Sequence, residues 1–191
     1  MSSTWAWLVR LIDTFVRRGR GVFEYCCDER CLFRLRWIRH NLRPPDGMSL
    51  GPGDVALELH LWNEHLRAIP AGGATWAWGV GTTQDLLWSL RSLADWIGRS
   101  DEAETIAYLE GTTILLGDSD QGPGLRLAER LGFSSERAES SWGTFGEVWE
   151  ARYARWLIAA FNPNSGSAYD RGDRTRRRLW ISRRALLDRY G

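Results

Sequence analysis

The fourteen residues GDVALELHLWNEHL, Gly53–Leu66, gather the groups in this chain best suited to chemistry. Two of the three histidines, His60 and His65, fall here beside Glu58 and Glu64. The stretch alternates like a strand. Val55, Leu57, Leu59 and Leu61 are expected on one face, and Asp54, Glu58, His60 and Trp62 on the other. Asn63, Glu64 and His65 follow the strand end, where a rigid scaffold often presents binding groups. A carboxylate two residues from an imidazole shares its face, fixes its tautomer and favours its protonated form. That arrangement suits general-base or ligand-binding work, and it equally describes a satisfied structural pair. Glu58, His60, Asn63, Glu64 and His65 are therefore the candidate ligand-binding residues, with no catalytic role assigned. A zinc helix needs histidines four apart on one face, whereas His60 and His65 are five apart across a strand end. No metal and no cofactor are expected.

The strand needs partners. Leu32–Arg39 also alternates, Phe33, Leu35 and Trp37 against Arg34 and Arg36, and reads as a neighbouring half-buried strand. Its Arg34 and Arg36, together with Trp62, are secondary candidates for the site. Pro44–Gly47 and Gly51–Asp54 read as turns, with a short strand expected at Met48–Leu50. Pro70–Gly81, rich in Gly and Ala, reads as a loop presenting Trp76 and Trp78. A helix is expected from Thr82 or Thr83 to Ile97, closed by Gly98. Ile106–Leu116 reads as a strand bent at Gly111, then a short helix at Leu125–Leu131 and a short strand from Phe133. Trp142–Phe161 has the pattern of a second long helix. Residues 164–178 read as a polar mobile loop, Leu179–Ile181 as a final edge strand, and Ser182 as the cap of a last helix. Residues 1–20 read as an amphipathic helix with Trp5, Leu8 and Ile12 on one face. The sum is a single α+β domain over 1–191. Its sheet is small, mostly antiparallel or mixed, with four or five strands. Two long helices and shorter terminal ones pack it.

Composition narrows the chemistry. All 25 basic residues are arginine, which excludes a lysine nucleophile, a Schiff base or a phosphate-loop lysine. Net charge is +1, but it is polarised. Residues 1–43 hold nine Arg and four acids, residues 44–170 eight Arg and eighteen acids, and residues 171–191 eight Arg and two acids. Basic ends packing beside an acidic middle account for this, and no nucleic-acid motif accompanies the arginines. An anionic ligand or a peripheral membrane contact through the N-terminal helix is the sharper alternative. Cys26, Cys27 and Cys31 form an odd, local set without the paired spacing of a zinc site. They read as reduced thiols, and a cytoplasmic location is expected. Of the 12 tryptophans, Trp62, Trp76, Trp78 and Trp142 fall in or near loops and are the candidates for an exposed aromatic surface.

Gln121-Gly122-Pro123-Gly124 lies between an apolar strand and a helix. It resembles the pyrophosphate turn of GNAT acyltransferases, which holds coenzyme A at a helix N-terminus. Arg126 stands where a small residue is needed, and Pro123 removes a backbone donor. A more extensive resemblance is carried by three segments in order: GDVALELHLWNEHL, RLGF at Arg130–Phe133, and LWISRRALLDRYG at Leu179–Gly191. The long helix ending in Asn162-Pro163 falls between the second and third. Together they resemble the YkoP-like domain, over most of the chain. The matching positions are Glu58, His60, Asn63, Glu64, Ser182 and Arg183. That resemblance implies a bacterial domain found alone or joined to polysaccharide deacetylases, hence an accessory role in cell-envelope glycan metabolism. Envelope glycan enzymes are the partners it implies. It implies none of the deacetylase chemistry, because this chain lacks the paired aspartates and the H-x-x-x-H zinc pair.

Overall fold

The computed structural model describes residues 19, 21–40, 42, 44, 45, 47–62, 64–73, 75–113, 122–138 and 176–191. Two alternating segments form the strands expected of them, β1 (Phe33–Ile38) and β2 (Val55–Leu61). They pair antiparallel, so Arg34 opposes His60 and Arg36 opposes Glu58. Gly53, at φ +88°, takes a left-handed turn that a side chain would strain, and the Asp54 carboxylate closes that turn by accepting the Gly51 N–H at 2.7 Å. Asp54 is thereby spent on the turn rather than on the strand face. Met48–Leu50 forms no strand.

Helix α1 (Trp76–Arg99) begins some six residues before the expected start and consumes the second half of the expected loop. Thr75 explains the difference: its hydroxyl caps the helix by accepting the Trp78 N–H at 3.2 Å. Gly81, which argues against helix by propensity, leaves room for the Arg67 guanidinium, 3.1 Å from where a Cβ would sit. β3 (Ile106–Thr113) follows and runs parallel to β2, closing a β–α–β unit. Their register slips once, between Val55 and Ala56. Val55 and Ile106 therefore join the core, while Ala56 and Tyr108 face the other side. Gly111 does not bend β3. Its bare Cα lets β3 approach β2, since an added Cβ would lie 3.2 Å from the Leu59 carbonyl oxygen.

Helix α2 (Pro123–Arg130) and β4 (Ser134–Arg137) come next, then β5 (Arg177–Ser182) and α3 (Arg183–Tyr190), with Ser182 accepting the Ala185 N–H at 3.1 Å. The sheet order is β1-β2-β3-β5-β4, a mixed five-stranded sheet. β5 is thus an inner strand, antiparallel to both β3 and β4, and not the edge strand that its short apolar run suggests. It begins at Arg177, inside the segment expected to be a mobile loop. The N-terminal helix over 1–20 apart from Gly19, most of the 164–178 loop, the helix at 142–161 and Asn63 lie outside the described residues.

One sheet face is apolar. Leu35, Leu57, Leu109 and Ile181 pack against Leu90, Leu93, Ala94 and Ile97 of α1 and Leu186 of α3. Leu57 and Leu109 are wholly buried, so each contributes roughly 2–3 kcal/mol by leaving water. This packing holds the sheet against α1 and commits the opposite residues of each strand to the other face. Among the described residues, no helix is long and apolar enough to cross a membrane.

Candidate functional site

The other sheet face carries a line of charge beside the buried Ala56 and Tyr108. Arg36, Glu58 and Glu110 are successive Cα partners on β1, β2 and β3. Arg178 of β5 and Glu136 of β4, themselves partners, extend the line across the remaining strands. Arg36 donates from Nε to Glu58 Oε2 at 2.5 Å. Arg178 donates from Nε to Glu110 Oε2 at 2.6 Å and from Nη1 to Glu136 Oε1 at 2.6 Å. The side chains are partly shielded, from 15% exposed for Arg178 to 39% for Glu136, so the ion pairs work in a medium less screening than water.

His60 enters this line from β2. Its Nε2 lies 3.2 Å from Glu58 Oε2. The approach is too oblique for a well-formed hydrogen bond, and that nitrogen, sealed from solvent, has no better partner among the described residues. The ring keeps 29% of its side-chain surface exposed, so it sits on the polar face and not in the apolar interior. The carboxyls of Glu58 and Glu110 are pushed apart in acidity. For Glu58 burial raises the pKa, but His60 and then Arg36 outweigh it and hold the group below the ordinary range. For Glu110 burial dominates over Arg178, the charge of Glu58 adds to it, and the group is held above that range. Neighbouring carboxyls of opposed acidity are a common feature of binding and acid–base sites.

The other candidates gather at the end of β2, around Arg34, the Cα partner of His60. His65 donates or accepts through Nδ1 with the Cys31 carbonyl oxygen at 2.9 Å, and its ring stacks on Trp62 at 3.8 Å. Trp62 is 8% exposed and carries the Arg34 guanidinium 4.1 Å from its ring centre. Arg34, 5% exposed, pairs with Glu24 and Glu64. Trp62 therefore belongs to the interior and not to an exposed aromatic surface, because the chain turns just after Leu61 and folds it back under Arg34 and His65. This cluster fastens the end of β2 to the segment before β1. Of the other loop tryptophans, Trp76 is 87% exposed, Trp78 donates its indole N–H to the Arg67 carbonyl oxygen at 3.2 Å, and Trp142 lies outside the described residues.

Arg36, Glu58 and His60 are legible in the sequence as candidates, whereas Glu110, Arg178 and Glu136 are not. Each stands in a segment whose local pattern gives no sign of its partner. A cavity of about 420 Å³ lies elsewhere, between α1 and α3, lined by Trp88, Arg91, Ser92, Asp95 and Tyr190. It shares no residue with the charged face, and it is an open trough rather than a built site. Cys26, Cys27 and Cys31 are free thiols, Cys31 buried and Cys27 exposed. No group of three or more metal-ligating side chains gathers among the described residues. At the expected pyrophosphate turn, Gly122 is the helix cap without a side-chain bond, Pro123 opens the eight-residue α2, and Gln121 lies outside the described residues.

No curated protein and no solved structure is detectably similar to this chain. The family model of the YkoP domain matches residues 2–190, nearly the whole length, so the chain belongs to the YkoP domain family.

Proposed function

We propose that this protein is a ligand-binding accessory domain of bacterial envelope glycan metabolism, and that the charged sheet face is where it binds. The observation that carries the reading is the continuous line Arg36–Glu58–Glu110–Arg178–Glu136, with His60 beside it. A structural role alone would be served as well by apolar residues, since a shielded ion pair is weak stabilisation for the desolvation it costs. Five such groups on one face offer donors and acceptors in fixed positions, as a polyhydroxyl ligand requires. A binding role is favoured over catalysis because each carboxylate already engages a guanidinium, which holds it as an acceptor rather than as a free base. The glycan setting rests on the family resemblance and on the polar character of the face.

The test is calorimetric titration of the protein with soluble fragments of bacterial cell-wall glycan, repeated with Glu58→Gln. Binding that weakens about tenfold in a variant with unchanged circular dichroism supports the reading, a charge-assisted hydrogen bond contributing about 1.5–3 kcal/mol. Equal affinity of the two proteins overturns it.

A further inference from the structure

We propose that the exposed first turn of α1 seats this protein on an anionic lipid surface, with Trp76 as the side chain that enters the interface. Ala68–Gln84 is the longest stretch of the chain without a charged residue. The two charges that bracket it, Arg67 and Asp85, pair with each other at its base, Nη2 to Oδ1 at 3.1 Å. The stretch supplies both large apolar side chains that stand exposed among the described residues, Trp76 at 87% and Val80 at 38%. They are four residues apart on one helix, so they share a side of it. The tip is fixed rather than loose. Thr75 caps the helix, and the Trp78 indole N–H donates to the Arg67 carbonyl oxygen at 3.2 Å, tying the helix start to the beginning of the loop. Gly73, at φ +98°, donates its N–H to the Pro70 carbonyl oxygen at 2.9 Å and closes a turn between them. Trp76 is presented outward on that scaffold.

The chemistry of the tip selects a bilayer over other occupants. A sugar stacked on a tryptophan also needs polar side chains beside the ring to meet its hydroxyls. Here the hydroxyls of Thr75, Thr82 and Thr83 are all spent on the helix backbone, and Gln84 lies more than two turns further along. A second copy, or another protein, takes about 800 Å² from each side of a stable interface. An exposed tryptophan offers about 150–250 Å², and Val80 adds only part of its smaller side chain. A bilayer asks for no complementary shape, and tryptophan settles where headgroups meet acyl chains. Charge agrees. The first turn of α1 holds no acid, so the positive end of the helix dipole at the tip is not neutralised and suits lipid phosphate. Because α1 packs on the apolar side of the sheet, contact through its first turn does not use the charged face, and the inference stands apart from the glycan reading.

The test is flotation of the full chain with vesicles of equimolar phosphatidylethanolamine and phosphatidylglycerol, repeated with Trp76→Ala and with vesicles of phosphatidylcholine alone. Trp76 is so exposed that its removal should leave the circular dichroism native. The parent is expected to float with the anionic vesicles and less with phosphatidylcholine. Trp76→Ala is expected to lower its partition coefficient at least about tenfold, as loss of a large apolar side chain from the interface requires. Val80→Glu, which puts an acid on the same side of the helix, is expected to act in the same direction. Flotation that Trp76→Ala leaves unchanged places the lipid contact elsewhere, the N-terminal segment included, and overturns the proposal. A parent that does not float overturns it too. Self-association of the parent in sedimentation velocity, lost in Trp76→Ala and without flotation, assigns the tip to a second copy and overturns the bilayer. Equal flotation on phosphatidylcholine alone overturns the anionic preference.

Discussion

Arg178 is the residue on which the charged face most depends, and its removal can be worked through in numbers. Its guanidinium bonds Glu110 through Nε and Nη2 and Glu136 through Nη1. Arg178→Met keeps most of the stem and deletes only the charged fork, leaving two partly shielded carboxylates beside Glu58. Breaking a fully buried pair costs about 3–5 kcal/mol, whereas an exposed pair contributes about 0–1 kcal/mol. Glu110 is 21% exposed and Glu136 39%, so the site lies between these limits, and a loss of about 2 kcal/mol is expected. For a chain of this size that lowers Tm by roughly 4–8 °C. Urea unfolding followed by tryptophan fluorescence, at neutral pH and again at mildly acidic pH, measures it. Glu110 already has its carboxyl held above the ordinary range, and loss of Arg178 lifts it further. A raised folded pKa favours the protonated native state, so its stabilisation grows as pH falls, and the deficit of the variant should shrink in acid. The double variant Arg178→Met/Glu110→Gln should recover about half of the loss. A loss below about 0.5 kcal/mol, or a deficit that widens in acid, would refute the reasoning.

Glu58 has the opposite sign. Its folded pKa lies below the ordinary value, so its contribution is full above the unfolded pKa and is lost as pH falls through the folded one. Glu58→Gln should therefore flatten the acid limb of a stability–pH profile, and a profile unchanged from the parent would contradict the assignment. Trp62→Ala removes a buried ring stacked on His65 and Arg34 and should cost about 3 kcal/mol in urea unfolding; a cost under about 1 kcal/mol would return Trp62 to the surface. Ser182→Ala removes the cap of α3 and should cost about 1 kcal/mol, read in the same way. Coenzyme A should leave Tm unchanged, and a rise of several degrees would instead favour an acyltransferase.

What the sequence disclosed and what it hid follow from the range of the interactions. The alternation of β1 and β2 and the Ser182 cap are local, and each is written in a few consecutive residues. The pairing of Arg178 with Glu110 spans 68 positions and that with Glu136 spans 42, so no window holds both partners. The arginine run before Leu179 reads as a solvated segment because charge is normally exposed. Here Arg177 and Arg178 open an inner strand, and Arg178 is covered beside Glu110, Glu136 and the Tyr108 ring. The glycines of α1 obscure its start, which is set by the Thr75 cap and by the Arg67 side chain filling the space at Gly81. His65 and His60 read as one site only because they are close in sequence. The turn after Leu61 sends one ring to the charged face and the other under Trp62.

Backbone amide shifts of the assigned protein, recorded while soluble fragments of bacterial cell-wall glycan are added, probe the face most directly. Shifts concentrated at Arg36, Glu58, His60, Glu110 and Arg178 are expected. Shifts confined to the trough between Trp88 and Tyr190, with those five residues silent, would contradict a ligand site on the charged face of the sheet.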